Sequence, residues 1–249
     1  MDVALILIAA FCAGVLNTIA GGGTFLTFPA LVFIGVPPVV ANATSAIAVF
    51  PGYLAGALGF RDELGKIDRR QFLKLIVVTL VGGLIGSLLL LVSSNKAFSI
   101  VVPFLLLAAT LAFLFGDKIR AWAAQKSRAV RPFGTFGLLI VSIYGGYFNG
   151  GLGIVLLALF ALWGMIDIHE MNGLKNGLSF ALSAISVAVF AIGGLVVWQY
   201  ALGMMVASTI GGYVGAPLAR KLPKSFVRGL IAFVGFSMSA VFFWRLFEI

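Results

Sequence analysis

The feature that most constrains this chain is the length of its apolar runs. Apolar stretches covering about 3–34, 42–60, 72–93, 97–115, 134–163, 172–197, 199–218 and 226–247 are separated only by short polar breaks. Most match the roughly 20 residues that a helix needs to cross a bilayer. A water-soluble domain built from them would expose large apolar patches, which monomers rarely do. With 61% hydrophobic and 10% charged residues, and a mean hydropathy of +1.14, the chain reads as an all-α polytopic membrane protein.

The net charge of +9 does not point to nucleic acid. Most Lys and Arg fall in 61–74, 118–131 and 220–228, the polar breaks, rather than along one face of an element. No nucleic-acid partner is expected, and the lipid bilayer is. The single cysteine, Cys12, cannot form a disulfide within one chain. The N-terminus lacks the basic region of a signal peptide and reads as the first membrane segment.

Two runs are too long for one ordinary span. As straight helices, 3–34 and 134–163 would reach about 45 Å or more, against about 30 Å of hydrocarbon. Both are broken by glycine: Gly21, Gly22 and Gly23 in the first, Gly150, Gly151 and Gly153 in the second. Each reads as a broken span or a helical hairpin.

The breaks correspond. GVLNTIAGGG from Gly14 aligns with GYFNGGLGIV from Gly146, which pairs Asn17 with Asn149. NATS at Asn42 then meets NGLK at Asn172, and GGLIGS at Gly82 meets GGYVGA at Gly211. Three matches in one order at a nearly constant offset define a duplication: 1–116 and 133–249, joined by a basic cytoplasmic linker, 117–132. If both long runs are hairpins, each half crosses an odd number of times and the halves are inverted. Lys and Arg then gather on the cytoplasmic side and only Lys96 and Arg245 lie outside, as the positive-inside rule requires. The expected architecture is two inverted repeats, each a glycine-broken hairpin followed by about three transmembrane helices.

Polar groups at membrane depth are costly and mark candidate sites. The first set is Asn17, Thr18, Gly21, Gly22, Gly23 and Thr24, matched by Asn149, Gly150, Gly151 and Gly153. A helix starting near Thr24 would aim loose N–H groups and a positive dipole end at the break, where an anion could bind. Paired broken segments in the two halves point to a transporter's substrate site. The competing reading is glycines that serve close helix packing. The second set is Asn42, Thr44 and Ser45, matched by Asn172, Lys175 and Asn176. Asn42 and Asn172 read equally well as helix N-caps. Lys175, the sole basic residue between Arg131 and Arg220, calls for a counter-charge that a bound anion would supply; the alternative is a lysine snorkelling to the interface. Asp167, His169 and Glu170 read as loop residues rather than a proton path. Gly82-x-x-x-Gly86 and Gly211-x-x-x-Gly215 fit close helix packing. Trp122, Trp163, Trp198 and Trp244 fit interface anchors.

No catalytic set, metal cluster or nucleotide-binding loop is visible, so no enzyme activity and no cofactor is expected.

The segments AGVLNTIAGGGTFLTFPAL, ANATSAIAVFPGYLAGALGFR and DIHEMNGLKNGLSFALSAISVAVF resemble the sulfite exporter TauE/SafE family of membrane transporters. The resemblance covers nearly the whole chain. The family's first-half motif falls on Asn17, Gly21, Gly22, Gly23, Pro29, Asn42, Thr44 and Ser45. Its second-half motif falls on Asn149, Gly151, Gly153, Asn172, Lys175 and Asn176. The second half departs from a full glycine triplet, since Ile154 and Val155 stand opposite Gly22 and Gly23. The resemblance implies export of sulfite or a small organosulfur anion across the bacterial inner membrane by a secondary transporter. A passive anion channel and a membrane scaffold or assembly subunit are the rival readings, and a homo-oligomer is left open.

Overall fold

The structure, a computed structural model, describes residues 2–20, 22–126, 133–219 and 224–247, and the side chains of all of these except 18–20, 214–219, 224–228 and 246–247. Gly21, Arg128, Arg131, Arg220 and Lys221 lie outside the described residues, as do the side chains of Thr18, Lys224 and Arg228. The described chain is helical throughout: α1 (Asp2–Ala20), α2 (Thr24–Phe33), α3 (Pro38–Gly59), α4 (Arg61–Leu64), α5 (Arg69–Val92), α6 (Asn95–Gln125), α7 (Thr135–Tyr147), α8 (Leu152–Leu162), α9 (Ile168–Ile192), α10 (Trp198–Ala219) and α11 (Lys224–Phe247).

Local signals set the helix ends. Asp68, Ser94 and Asp167 cap α5, α6 and α9 by accepting N–H groups from Arg70, Ala97 and His169. The His169 N–H is also the main reason that the Asp167 carboxyl sits below the usual carboxylate range. Pro38 starts α3, where its missing N–H costs nothing. Neither Asn42 nor Asn172 is an N-cap, because α3 and α9 begin four residues before each of them. His169 and Glu170 belong to the first turn of α9 rather than to a loop. The helix α6 runs on to Gln125, so the first part of the expected linker is helical.

Both long apolar runs double back. A Cβ built on Gly23 would lie 3.0 Å from the Ala13 carbonyl oxygen, and one on Gly137 would lie 3.0 Å from Leu159. Continuous helices would separate such pairs by about 15 Å or more. The two hairpins also end alike. Gly35 and Gly164 adopt the left-handed conformation at φ 87° and 85°. Gly35 N–H bonds to Val32 O and Val36 N–H to Leu31 O; Gly164 and Met165 repeat this pattern with Ala161 and Phe160. This is the Schellman ending, which glycine alone adopts without a steric penalty.

Much of the packing pairs a helix from residues 2–125 with one from residues 135–247. α1 lies along α10 as α7 lies along α5; α3 packs on α10 as α9 packs on α5; α6 meets α8 as α11 meets α2. Two further extensive contacts join α3 with α9 and α6 with α11. Both of these pairs run antiparallel. Along α3 and α9, Phe50 stacks on Phe180 with ring centres 5.1 Å apart, while Gly56 meets Asn176 and Phe60 meets Gly173. Along α6 and α11, Phe104 meets Phe243 and Thr110 meets Gly235. Phe50 and Phe180 are themselves matched positions when Asn42 is aligned with Asn172.

One core cluster gathers Leu75, Ala123, Leu138, Trp163 and Met171, from the start of α5, the end of α6, the start of α7, the end of the second hairpin and the start of α9. That end of the bundle carries Arg61, Lys66, Arg69, Arg70, Lys74, Lys118, Arg120 and Lys126, with an ion pair at 3.9 Å from Lys66 to Glu170. The larger cluster fills the other end, with Ile6, Val36, Leu90, Phe98, Phe190 and Phe242. Apolar side chains such as Leu73, Val77, Val81, Leu84 and Leu88 face outward along α5. α3, α5, α6 and α9 are each long and apolar enough to cross a membrane. Trp122, Trp198 and Trp244 are exposed, but Trp163 is buried against Phe133 and Phe160 and belongs to the core.

The closest crossings rest on glycine. A Cβ on Gly14 would lie 1.9 Å from Ser208 O, one on Gly211 2.0 Å from Phe11 O, and one on Gly86 2.1 Å from Ile143 O. These are backbone atoms that cannot yield. Gly86→Val is therefore expected to force α5 off α7 at a cost of about 1–3 kcal/mol or more. A lower melting temperature and loss of the monodisperse detergent-solubilised peak on size-exclusion chromatography would register it; an unchanged melting temperature would refute the crossing.

Candidate functional site

A cavity of about 570 Å³ opens among α1, α3, α9 and α10. Its lining includes Asn17 from α1, Val49, Gly52, Gly56 and the adjoining Phe60, then Asn172, Lys175 and Asn176 from α9, and Ser208, Thr209, Gly212 and Tyr213 from α10. On α3, α9 and α10 these residues occupy the halves of the helices nearest the basic end of the bundle. Tyr213 is exposed at the rim. The opposite half is filled: Phe28 stacks on Phe242 at 6.0 Å and meets Phe98 and Phe148 edge-on.

Among the described residues, Lys175 is the only charged one in the lining. Its ammonium donates to Asn172 Oδ1 at 3.1 Å. Among the described residues no carboxylate lies within ion-pair distance of it. Its aliphatic stem runs against Gly153, where a Cβ would stand 3.2 Å from Cδ, so the first turn of α8 supports the lysine from behind. Asn176 lies flat against α3, which only glycine at 56 permits, since a Cβ there would sit 2.7 Å from Nδ2. The pocket thus presents one cation and several amide and hydroxyl groups between apolar walls, a donor-rich environment suited to a small anion.

The structure brings Asn17, Asn172, Lys175 and Asn176 together in this cavity. It puts the other sequence candidates to work elsewhere. Asn17 serves both the cavity and the first hairpin tip, where Gly23 N–H donates to its Oδ1 at 2.8 Å. Gly22 packs towards Ile231 and Phe113, and Thr24 is buried at the start of α2. At this tip the Phe25 and Leu26 N–H groups bond back to the Gly22 and Gly23 carbonyls. Gly21 lies outside the described residues. At the second tip, the Gly150 carbonyl accepts from the Tyr144 hydroxyl, and Gly151 takes the left-handed conformation at φ 73° that starts α8. Asn149 Oδ1 accepts from the Tyr53 hydroxyl at 3.1 Å, and its amide donates to Ser183 Oγ at 3.4 Å, tying that tip to α3 and α9.

Asn42, Thr44 and Ser45 are buried away from the cavity. The Asn42 amide donates to Tyr147 O at 3.0 Å, the Val197 N–H donates to Thr44 Oγ1 at 3.2 Å, and the Ser45 and Thr27 hydroxyls share a bond at 2.6 Å. Sequence reasoning passed over Gly52, Gly56, Phe60, Ser208 and Thr209. The PGYLAG run in α3 and the ST pair in α10 were the available signals.

Such a bundle, apolar outside and hollowed around a lone lysine, is a multi-pass membrane protein of the transporter class. The chain belongs to the sulfite exporter TauE/SafE family, whose model matches residues 6–242. It is 30% identical to a protein named probable membrane transporter protein of Haemophilus influenzae, over 96% of each chain. It is 26% identical to the probable membrane transporter protein ORF9 of a Sinorhizobium species, over 95% of this chain and 90% of that one. The same identity relates it to the probable membrane transporter protein YfcA of Escherichia coli, over 93% and 86%. No solved structure matches the chain.

Asn17 is the part of the site whose structural role can be measured separately. Asn17→Ala leaves the Gly23 N–H without an acceptor inside the protein. The expected loss is about 1–3 kcal/mol, read as a lower melting temperature and faster amide exchange at Gly22–Leu26. Exchange at that tip equal to wild type would show that Asn17 does not hold it.

Proposed function

We propose that this protein is a secondary transporter that exports a small anion, sulfite or an organosulfur anion, across the bacterial inner membrane without enzymatic chemistry or a cofactor. The observation that carries this reading is Lys175, a cation inside a membrane bundle, at a cavity wall, with no described carboxylate to neutralise it. Such a residue is costly unless something neutralises it, and an anionic substrate is the partner the cavity can admit. The sulfur oxyanion class comes from the family name.

Two inverted repeats, 1–116 and 133–249, are the architecture that accounts best for the exchanged packing partners, the antiparallel corresponding helices and the stack of matched Phe50 and Phe180. The positive-inside rule then puts the basic end, and the mouth of the cavity, in the cytoplasm, the side from which an exporter collects its substrate. A cavity confined to one half of the bundle, with the aromatic cluster around Phe28 filling the other, favours a carrier over an open channel.

Purified protein in liposomes loaded with radiolabelled sulfite supplies the test. Wild type is expected to release label in a saturable manner, and faster when unlabelled sulfite is present outside. Lys175→Met is expected to abolish that flux while the protein stays monodisperse, and Lys175→Arg to retain part of it. Equal flux in Lys175→Met and wild type would remove the lysine from the site; release that never saturates would indicate a channel.

A further inference from the structure

The six buried side-chain atoms without a hydrogen-bond partner among the described residues are unevenly distributed. Asn42 Oδ1, Thr79 Oγ1, Ser179 Oγ and Ser186 Oγ are four of them. Aligning Asn42 with Asn172, and Gly82 with Gly211, sets these four residues opposite Asn172, Ser208, Val49 and Gly56. All four counterparts line the open cavity. Buried hydroxyls on membrane helices ordinarily bond back to a carbonyl of the preceding turn, as Ser87 and Thr110 do here. Thr79, Ser179 and Ser186 do not, although each is at most 2% exposed. An unpaired polar atom so placed costs free energy that a different conformation could recover.

The packing around them is that of a closed cleft. Gly212 faces the open cavity, whereas its counterpart Gly83 is covered: a Cβ there would meet Ile185 at 2.9 Å and Leu182 at 3.3 Å. We propose that α3, α5 and α9 enclose a second anion-binding cavity, lined by Asn42, Thr79, Ser179 and Ser186, which opens at the end opposite the basic one and is shut in the present conformation. The proposal rests on the inverted-repeat reading given above. Movement of one hairpin-bearing half against the other would hydrate these four groups while closing the cavity around Lys175, as alternating access between repeats requires. The two cavities are not equal. Ser45 stands where Lys175 stands in the other half, and its hydroxyl is already paired with Thr27. The outer cavity would therefore hold the anion through the neutral hydroxyls of Thr79, Ser179 and Ser186, and more weakly, while the free Asn42 Oδ1, an acceptor, would face water.

Site-directed thiol labelling tests this without any substrate, so that its failure is separable from failure of the transport reading. The full chain carries one cysteine, half-buried Cys12, which Cys12→Ser removes. In that background Ser186→Cys and Thr79→Cys are the reporters. Ser142→Cys, equally buried and unpaired but with no counterpart in the cavity, is the reference, and Asn176→Cys reports the open cavity. With a membrane-impermeant maleimide applied to spheroplasts, Ser186→Cys and Thr79→Cys are expected to label at roughly 0.1–10% of the rate of a fully exposed thiol, the share of time a minor state is populated. Ser142→Cys is expected to stay unlabelled, and Asn176→Cys to label only from the cytoplasmic face, in inverted vesicles. If Asn176→Cys labels from outside and the two reporters from inside, the second cavity stands and the orientation is reversed. Reporters that label no faster than Ser142→Cys from either face would overturn the proposal.

Discussion

Inside hydrocarbon no water is available to a backbone N–H or C=O that leaves its helix, and each one left unpaired costs several kcal/mol. The chain takes that risk at two places, the hairpin tips. Asn17 reaches across the first hairpin tip to accept the Gly23 N–H. Tyr144 donates to the Gly150 carbonyl at the second, and Asn149 is held there by Tyr53 and Ser183. With the tips secured, two short helices can turn back into the bundle, and α3 and α9 can cross between them. The cavity lies beside that crossing because Gly52 and Gly56 contribute no side chain to fill it.

The site has few polar groups, and their roles divide by depth. In the filled half, Thr44 accepts from the distant Val197 N–H and Ser45 pairs with Thr27. Groups in the hollow half, Asn172, Lys175 and Asn176, keep donors facing space. Ser45, the residue that aligns with Lys175, is paired with Thr27, whereas Lys175 lines the cavity, so the difference between them is chemical as well as geometric. One lysine gives a charge that a small anion can neutralise on entry.

Much of the fold was legible in the sequence. The glycine breaks marked both hairpins, since clustered glycines such as Gly21–Gly23 and Gly150, Gly151 and Gly153 hold a long helix poorly, and the matched Gly82 and Gly211 marked the close helix pairs. Lys175 stood out because nothing else between Arg131 and Arg220 is basic. Other parts were not legible, for physical reasons. Thr44 and Ser45 look like cavity residues in a linear reading, and only the packing reveals that they bond to the Val197 N–H and to Thr27. The α3 wall is read as featureless apolar helix, because a cavity lined by missing side chains leaves no signal but glycine. Trp163 has the spacing of an interface anchor, yet Phe133 and Phe160 bury it.

Binding of a small anion in the cavity through Lys175 is tested most directly by thermal stabilisation of the purified protein by sulfite, sulfate, thiosulfate, sulfoacetate, acetate and chloride at constant ionic strength. A ligand confined to the folded state adds about 2.7 kcal/mol at one hundred times its dissociation constant. A saturable rise in melting temperature is expected with a sulfur oxyanion, small with chloride and lost in Lys175→Met. Stabilisation of equal size in Lys175→Met, or none with any of these anions, would contradict such binding.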